Sequence, residues 1–96
     1  MRKCYLVCYD IADQKRLHKV HQIMCGYGEA WQYSVFHCFL KDIDRVRLQN
    51  DLNTAINTRE DQVFILDLGT TDVTDRKAII TLGKQLPPVR SGVIVV

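Results

Sequence analysis

Asp10 is the leading candidate for chemistry, because it closes the first hydrophobic run of the chain, Cys4-Tyr5-Leu6-Val7-Cys8-Tyr9. The run is short, rich in β-branched and aromatic residues and free of Gly and Pro, so it reads as a strand. Tyr5, Val7 and Tyr9 fall on one side and Cys4, Leu6 and Cys8 on the other. Neither side is polar, which predicts that both faces are covered. A carboxylate placed where such a strand leaves the sheet has little nearby chain to hide it. Lys15, Arg16, His18 and Lys19 follow closely, so the acid stands beside a basic flank. That flank reads either as a phosphate-binding surface or as a plain solvated face. Asp67 is a weaker second carboxylate, an edge or end residue of a later strand. His37 sits among large apolar residues and reads as a sheet histidine rather than a catalyst. Cys4 and Cys8 would lie about 13 Å apart on one strand face, too far for a disulfide or a shared ion. With Cys25 and Cys38 they read as reduced core thiols. A zinc site with His18, His21 or His37 is the minor alternative, since no ligand pair has structural-zinc spacing.

The elements that position these residues come from one small domain of 96 residues, 47% hydrophobic and 25% charged. No apolar run approaches the roughly 20 residues of a membrane helix. Arg2 and Lys3 precede an apolar stretch broken by Asp10 and Asp13, which is no signal peptide. The expected location is cytoplasmic, with no membrane partner. Net charge is +2, unevenly spread. Residues 1–28 hold five Lys/Arg against two acids, residues 29–75 four against nine, and residues 76–96 four against none. Basic ends around an acidic middle are compatible with contact to nucleic-acid phosphates, and equally with a normally mixed surface.

Asp13 is placed as the N-cap of a first helix, with Leu17, Val20, Met24 and Tyr27 as its buried stripe and Gly26 or Gly28 as a left-handed C-cap. From Glu29 to Leu40 the period is two, which predicts two strands joined by a bend near Gln32-Tyr33, or one strand with a bulge. Asp44 reads as the N-cap of a second helix, with Ile43 and Leu48 as a hydrophobic staple and Leu48, Leu52, Ala55 and Ile56 buried. Gln62 to Leu68 is a further strand. This order predicts an α+β, ferredoxin-like βαββαβ sandwich over residues 1–69. Helices cover only one sheet face, so the apolar second face calls for a symmetric partner, a homodimer. Ala78–Leu82 and Gly92–Val96 read as one or two extra C-terminal strands within residues 70–96. They would pack on the core, the dimer mate or a partner protein.

Several of these stretches together make the chain similar to a known family. Tyr9-Asp10-Ile11, Asp13 with Arg16 and Lys19-Val20, Tyr27-Gly28, Gln32-Tyr33-Ser34-Val35-Phe36, Ile80-Thr81-Leu82-Gly83 and Gly92-Val93-Ile94-Val95 recur in that order and spacing. The chain resembles the small CRISPR-associated protein Cas2, the adaptor of the spacer-acquisition integrase. The resemblance implies a ferredoxin-like homodimer with extra C-terminal strands and a role in CRISPR adaptation, part of antiviral defence. It implies that the dimer bridges integrase subunits and binds nucleic acid, DNA or RNA. Some members are described as metal-dependent endonucleases. The family's metal-binding aspartate maps onto Asp10, its basic helix positions onto Arg16 and Lys19, and its strand serine and phenylalanine onto Ser34 and Phe36. Lys15 and Tyr9 join the expected nucleic-acid surface. Leu17 and Ala30 stand where relatives often carry basic residues, which thins that surface.

On this reading the cofactor is Mg²⁺, with Mn²⁺ as the alternative. One carboxylate per chain is poor provision for such an ion, and a two-fold axis near Asp10 would supply a second. Two readings compete with a metal-dependent endonuclease. One is a non-catalytic DNA-binding scaffold, in which Asp10 is structural and hydrogen-bonds amides at the helix start. The other is a related toxin-type ribonuclease.

Overall fold

The computed structural model describes residues 1–70 and 79–86. Its six elements are β1 (Lys3–Asp10), α1 (Gln14–Cys25), β2 (Glu29–Gln32), β3 (Val35–Leu40), α2 (Asp42–Ala55) and β4 (Gln62–Asp67). The strands form one antiparallel sheet in the order β2-β3-β1-β4. This is the ferredoxin-like arrangement, with β3 and β1 at the centre of the sheet.

Alternation along β1 decides the two faces. Tyr5, Val7 and Tyr9 are buried and pair across with Cys38, Phe36, Ile65 and Val63. Phe36, Cys38 and Leu40 of β3 share that side, and the helices cover it with Val20 and Met24 of α1 and Leu48 and Leu52 of α2. Tyr27 ties the helices together, its hydroxyl donating to Asp51 Oδ2 at 2.8 Å.

Asp13 caps α1 as expected: its carboxylate accepts from the Arg16 amide at 3.0 Å. The other end departs from expectation. Gly26 is right-handed, with φ −81° and ψ −10°, so no left-handed cap is present. Gly28 is needed for a different reason. A Cβ there would collide with the carbonyl oxygen of His37 and lie 2.6 Å from Cys38 Sγ. The helix–strand connection passes directly over β3, and only hydrogen fits.

The two-strand alternative for Glu29–Leu40 is the one realised. β2 and β3 form a hairpin around Tyr33 and Ser34, and the register also shifts between Ala30 and Gln32. The start of α2 corrects the sequence reading. The helix begins at Asp42, with Lys41 as an N-cap that makes no side-chain hydrogen bond. Asp44 is inside the first turn, where its charge suits the helix dipole, and it faces Arg47 at 3.6 Å. Ile43 is largely exposed, so there is no staple with Leu48.

Residues 79–82 have no regular secondary structure in the single chain, and Ile80 and Leu82 are each 89% exposed. The strand expected over Ala78–Leu82 is therefore absent from its described part, residues 79–82. An added strand needs a ladder to join, and this stretch pairs with none among the described residues. The strand expected over Gly92–Val96 lies outside the described residues.

The second sheet face is carried by Cys4, Leu6 and Cys8 of β1, Val35, His37 and Phe39 of β3, and Phe64 and Leu66 of β4. Phe39, Phe64 and Leu66 are about half exposed. His37 is buried and stacks on Trp31, the sheet histidine its neighbours predicted. All four cysteines are thiols. Burial pushes the Cys38 thiol up to about 12, so it stays protonated. Among the described residues no helix is long and apolar enough to cross a membrane.

Candidate functional site

Asp10 ends β1 opposite Gln62 of β4, the edge strand among the described residues, and by alternation it belongs to the face away from the helices. Its carboxylate is exposed and makes no hydrogen bond or ion pair among the described residues. The amides it could have served are held by two other acids. Asp13 takes the Arg16 amide. Asp61 takes the Ala12 amide at 2.9 Å and the Asn57 amide at 2.8 Å. The structural role considered for Asp10, bonding amides at the helix start, thus belongs to its neighbours.

Arg16 was expected on the nucleic-acid surface. The structure gives its guanidinium to Asp61, with Nε at 2.7 Å from Oδ2 and Nη2 at 3.2 Å from Oδ1. Glu60 adds a longer contact at 3.7 Å. The Asp61 side chain is fully shielded from solvent. The Arg16 guanidinium, followed by the Asn57 and Ala12 amides, holds its carboxyl well below the usual carboxylate range against the opposing effect of burial. Reciprocally, the Asp61 hydrogen bond holds the Arg16 guanidinium above its ordinary value.

Lys15 and Lys19 are exposed and form no ion pair among the described residues. With His18 they occupy the outer surface of a helix that has no acidic residue at all. This is the sequence-expected basic flank, short of Arg16.

Tyr9 and Phe36 lie inward, with Tyr9 6% and Phe36 1% exposed. Their rings stack at 6.2 Å. Burial, with the nearby Tyr33 and Cys25 adding to it, pushes the Tyr9 phenol up to about 12. The phenol is therefore a neutral donor, and its proton goes to the Tyr33 carbonyl at 2.8 Å. The remaining contact, His21 Nδ1 at 3.2 Å, then has the imidazole as donor to the phenol oxygen. His21 also stacks on the exposed ring of Tyr33 at 5.0 Å. Ser34 is half-buried in the β2–β3 turn, and its carbonyl accepts from the Tyr9 amide at 3.1 Å. Tyr9, Asp10 and Ser34 therefore meet at one end of the sheet, where α1 begins. Phe36 packs against Tyr9 there, and Lys15 and Lys19 lie in α1, the helix that follows.

The donor set at Asp10 bears on the metal. Among the described residues no three His, Cys, Asp or Glu side chains converge on one point. A single chain thus offers one carboxylate and open positions. That is poor provision for Mg²⁺ or Mn²⁺, which take one or two carboxylates with several waters, and it makes no zinc cage among the described residues.

The sequence reading missed Asp61. Its one local signal is the turn-forming stretch Asn57–Asp61 before a strand. Asn57 Oδ1 accepts from the Arg59 amide at 2.9 Å, and the Asp61 amide returns to the Asn57 carbonyl at 2.8 Å.

The profile of the family described as "CRISPR associated protein Cas2" matches residues 3–77. A protein of Thermodesulfovibrio yellowstonii named CRISPR-associated endoribonuclease Cas2 2 is 38% identical over 87 residues, 91% of this chain and 92% of that one. One of Geobacter sulfurreducens named CRISPR-associated endoribonuclease Cas2 is 38% identical over 96 residues, 99% of this chain and the whole of its own length. The crystal structure of Streptococcus pyogenes Cas2 at pH 6.5 superposes with a TM-score of 0.73 at 29% identity, covering 83% of this chain and 99% of that chain.

Proposed function

Because the chain belongs to the CRISPR-associated Cas2 family, we propose that it serves CRISPR adaptation as a nucleic-acid-binding homodimer with a metal-dependent endonuclease site at Asp10. The observation that carries this reading is the division of labour at the β1–α1 corner. Two acids there hold backbone amides, while Asp10 is left exposed with no hydrogen bond or ion pair among the described residues. The relatives' name, endoribonuclease, supports the reaction class.

Asp10 belongs to the open sheet face, the same face that carries Phe39, Phe64 and Leu66. Two copies packed by that face bring their Asp10 carboxylates towards a common axis. Without a cation the pair would repel, and one carboxyl would tend to hold a proton. The pair would hold Mg²⁺, which supplies charge relief on the phosphate oxygens and an activated water. Lys15 and Lys19 bind the flanking phosphates. Ser34 and the buried Tyr9–Phe36 stack fix the floor of the corner. In this reading β4, paired on one side only among the described residues, accepts an added strand from the second copy or from an integrase subunit.

The test is a Mg²⁺ titration of cleavage on RNA, single-stranded DNA and duplex DNA. Asp10→Asn is expected to abolish cleavage with the dimer intact. Equal cleavage by both proteins would refute the catalytic role and trace the activity to a contaminant. Spacer acquisition that survives Asp10→Asn would favour the scaffold reading.

A further inference from the structure

The α2–β4 loop reaches across the sheet end to hold the loop that follows Asp10. Asp61 is 45 residues from Arg16 and 49 from Ala12, yet its two oxygens receive four hydrogen bonds. Two come from the Arg16 guanidinium, one from the Ala12 amide and one from the Asn57 amide. Ala12 lies between Asp10 and the Asp13 cap, and Gln62, next to Asp61, pairs with Asp10 itself. The chain leaving Asp10 towards α1 meets this node at Ala12, and the strand paired with Asp10 meets it at Gln62.

We infer that Asp61 is a positioning residue for Asp10, and that Arg16 is its internal tie rather than a phosphate contact. The inference rests on the reading of Asp10 as the working carboxylate. A guanidinium held in two parallel bonds by a shielded carboxylate has spent its fork geometry. Turning it to a phosphate would strand a buried negative charge, which is costly. The nucleic-acid surface is then read by Lys15 and Lys19, and the arginine of this helix works from below.

The experiment uses the full chain with Arg16→Gln, Arg16→Lys, Asp61→Asn, Lys15→Gln and Lys19→Gln. The first arm needs no ligand: amide exchange of the free protein at Ala12 and Asn57. Arg16→Gln and Asp61→Asn are expected to speed both amides together, by about tenfold or more, with Arg16→Lys intermediate. Unchanged exchange at Ala12 in Arg16→Gln would overturn the tie. If Asp61→Asn does not fold, the two Arg16 variants decide this arm.

The second arm is the salt dependence of duplex DNA binding. Lys15→Gln and Lys19→Gln should each lower the slope of log K against log salt by about one, and Arg16→Gln should leave it unchanged. A drop of about one in Arg16→Gln would make it a phosphate contact and end the inference. The third arm is cleavage. Arg16→Gln should lower kcat by about tenfold with KM for nucleic acid unchanged, and Arg16→Lys should recover part of it. A rise in KM at constant kcat would again mark a substrate contact. If wild type neither binds nor cuts nucleic acid, the proposed function falls while the exchange arm still decides the tie.

Discussion

Three aspartates crowd one corner of this molecule, and their partners assign them three different jobs. Asp13 caps a helix, Asp61 locks two loops, and Asp10 faces solvent without a partner among the described residues. Asp61 gives the sharpest pH prediction. Its folded carboxyl titrates well below its ordinary value of 3.8. Folding therefore favours the ionised form, and the stabilisation is complete above about pH 5. It drains away as pH falls through the unfolded value towards the lower folded one. Thermal melts between pH 2.5 and 7 should show a steep acid limb for wild type and a shallower one for Asp61→Asn. Coincident acid limbs would show that another carboxylate drives acid unfolding. None of this was legible from position 61 alone, because two of its partners, Arg16 and Ala12, lie more than 40 residues away in sequence. Asp10 stands out in the sequence as an acid ending an all-apolar run, and the structure leaves it exposed at the end of β1. Arg16 was legible as a cation near Asp10 but not as a committed one, since commitment depends on a distant loop.

At the scale of elements, Gly28 turns a weak motif into a mechanical requirement. The chain leaving α1 crosses β3 so closely that a methyl group there meets the His37 carbonyl and Cys38 Sγ. Neither neighbour gives way cheaply, one being backbone and the other a fully buried side chain. Gly28→Ala should cost about 1–3 kcal/mol by overpacking, read as a lower urea midpoint at unchanged slope. An unshifted midpoint would show that the connection relaxes freely. Apolar periodicity revealed most of the architecture. The two-residue alternation of β1 and β3 and the Val20–Met24–Tyr27 stripe are what one-sided helical cover requires. Boundaries were harder to read. Asp42 and Asp44 both suit the first turn of α2, so composition favoured the wrong capping residue while Lys41 made the turn by backbone geometry alone. A left-handed cap looked plausible at Gly26 or Gly28, but the real constraint at Gly28 was a tertiary contact that no local pattern encodes.

At the scale of the molecule, the open sheet face sets the assembly question. Leu6 pairs across with Leu66, Cys8 with Phe64 and Cys4 with Phe39, so the apolar side chains form continuous rows on this face. Phe39, Phe64 and Leu66 are each about half exposed, a patch of the kind that marks association surfaces. A two-fold contact repeats any change, so one substitution acts twice in the proposed dimer. Burying a large apolar side chain is worth about 1.5–3 kcal/mol. Leu66→Asp should therefore weaken self-association on the order of 100-fold or more, while the monomer keeps its fold because that side chain lies outside the helix-covered core. Light scattering should report half the wild-type mass at the same concentration, with an unchanged far-UV circular dichroism spectrum. The same variant should lose Mg²⁺-dependent cleavage although Asp10 is intact, since one carboxylate per chain leaves the ion half-provided. A monomer that still cleaves would separate catalysis from assembly and show that one Asp10 is enough. A dimer that survives Leu66→Asp would move the symmetric contact to another surface, and with it the second carboxylate.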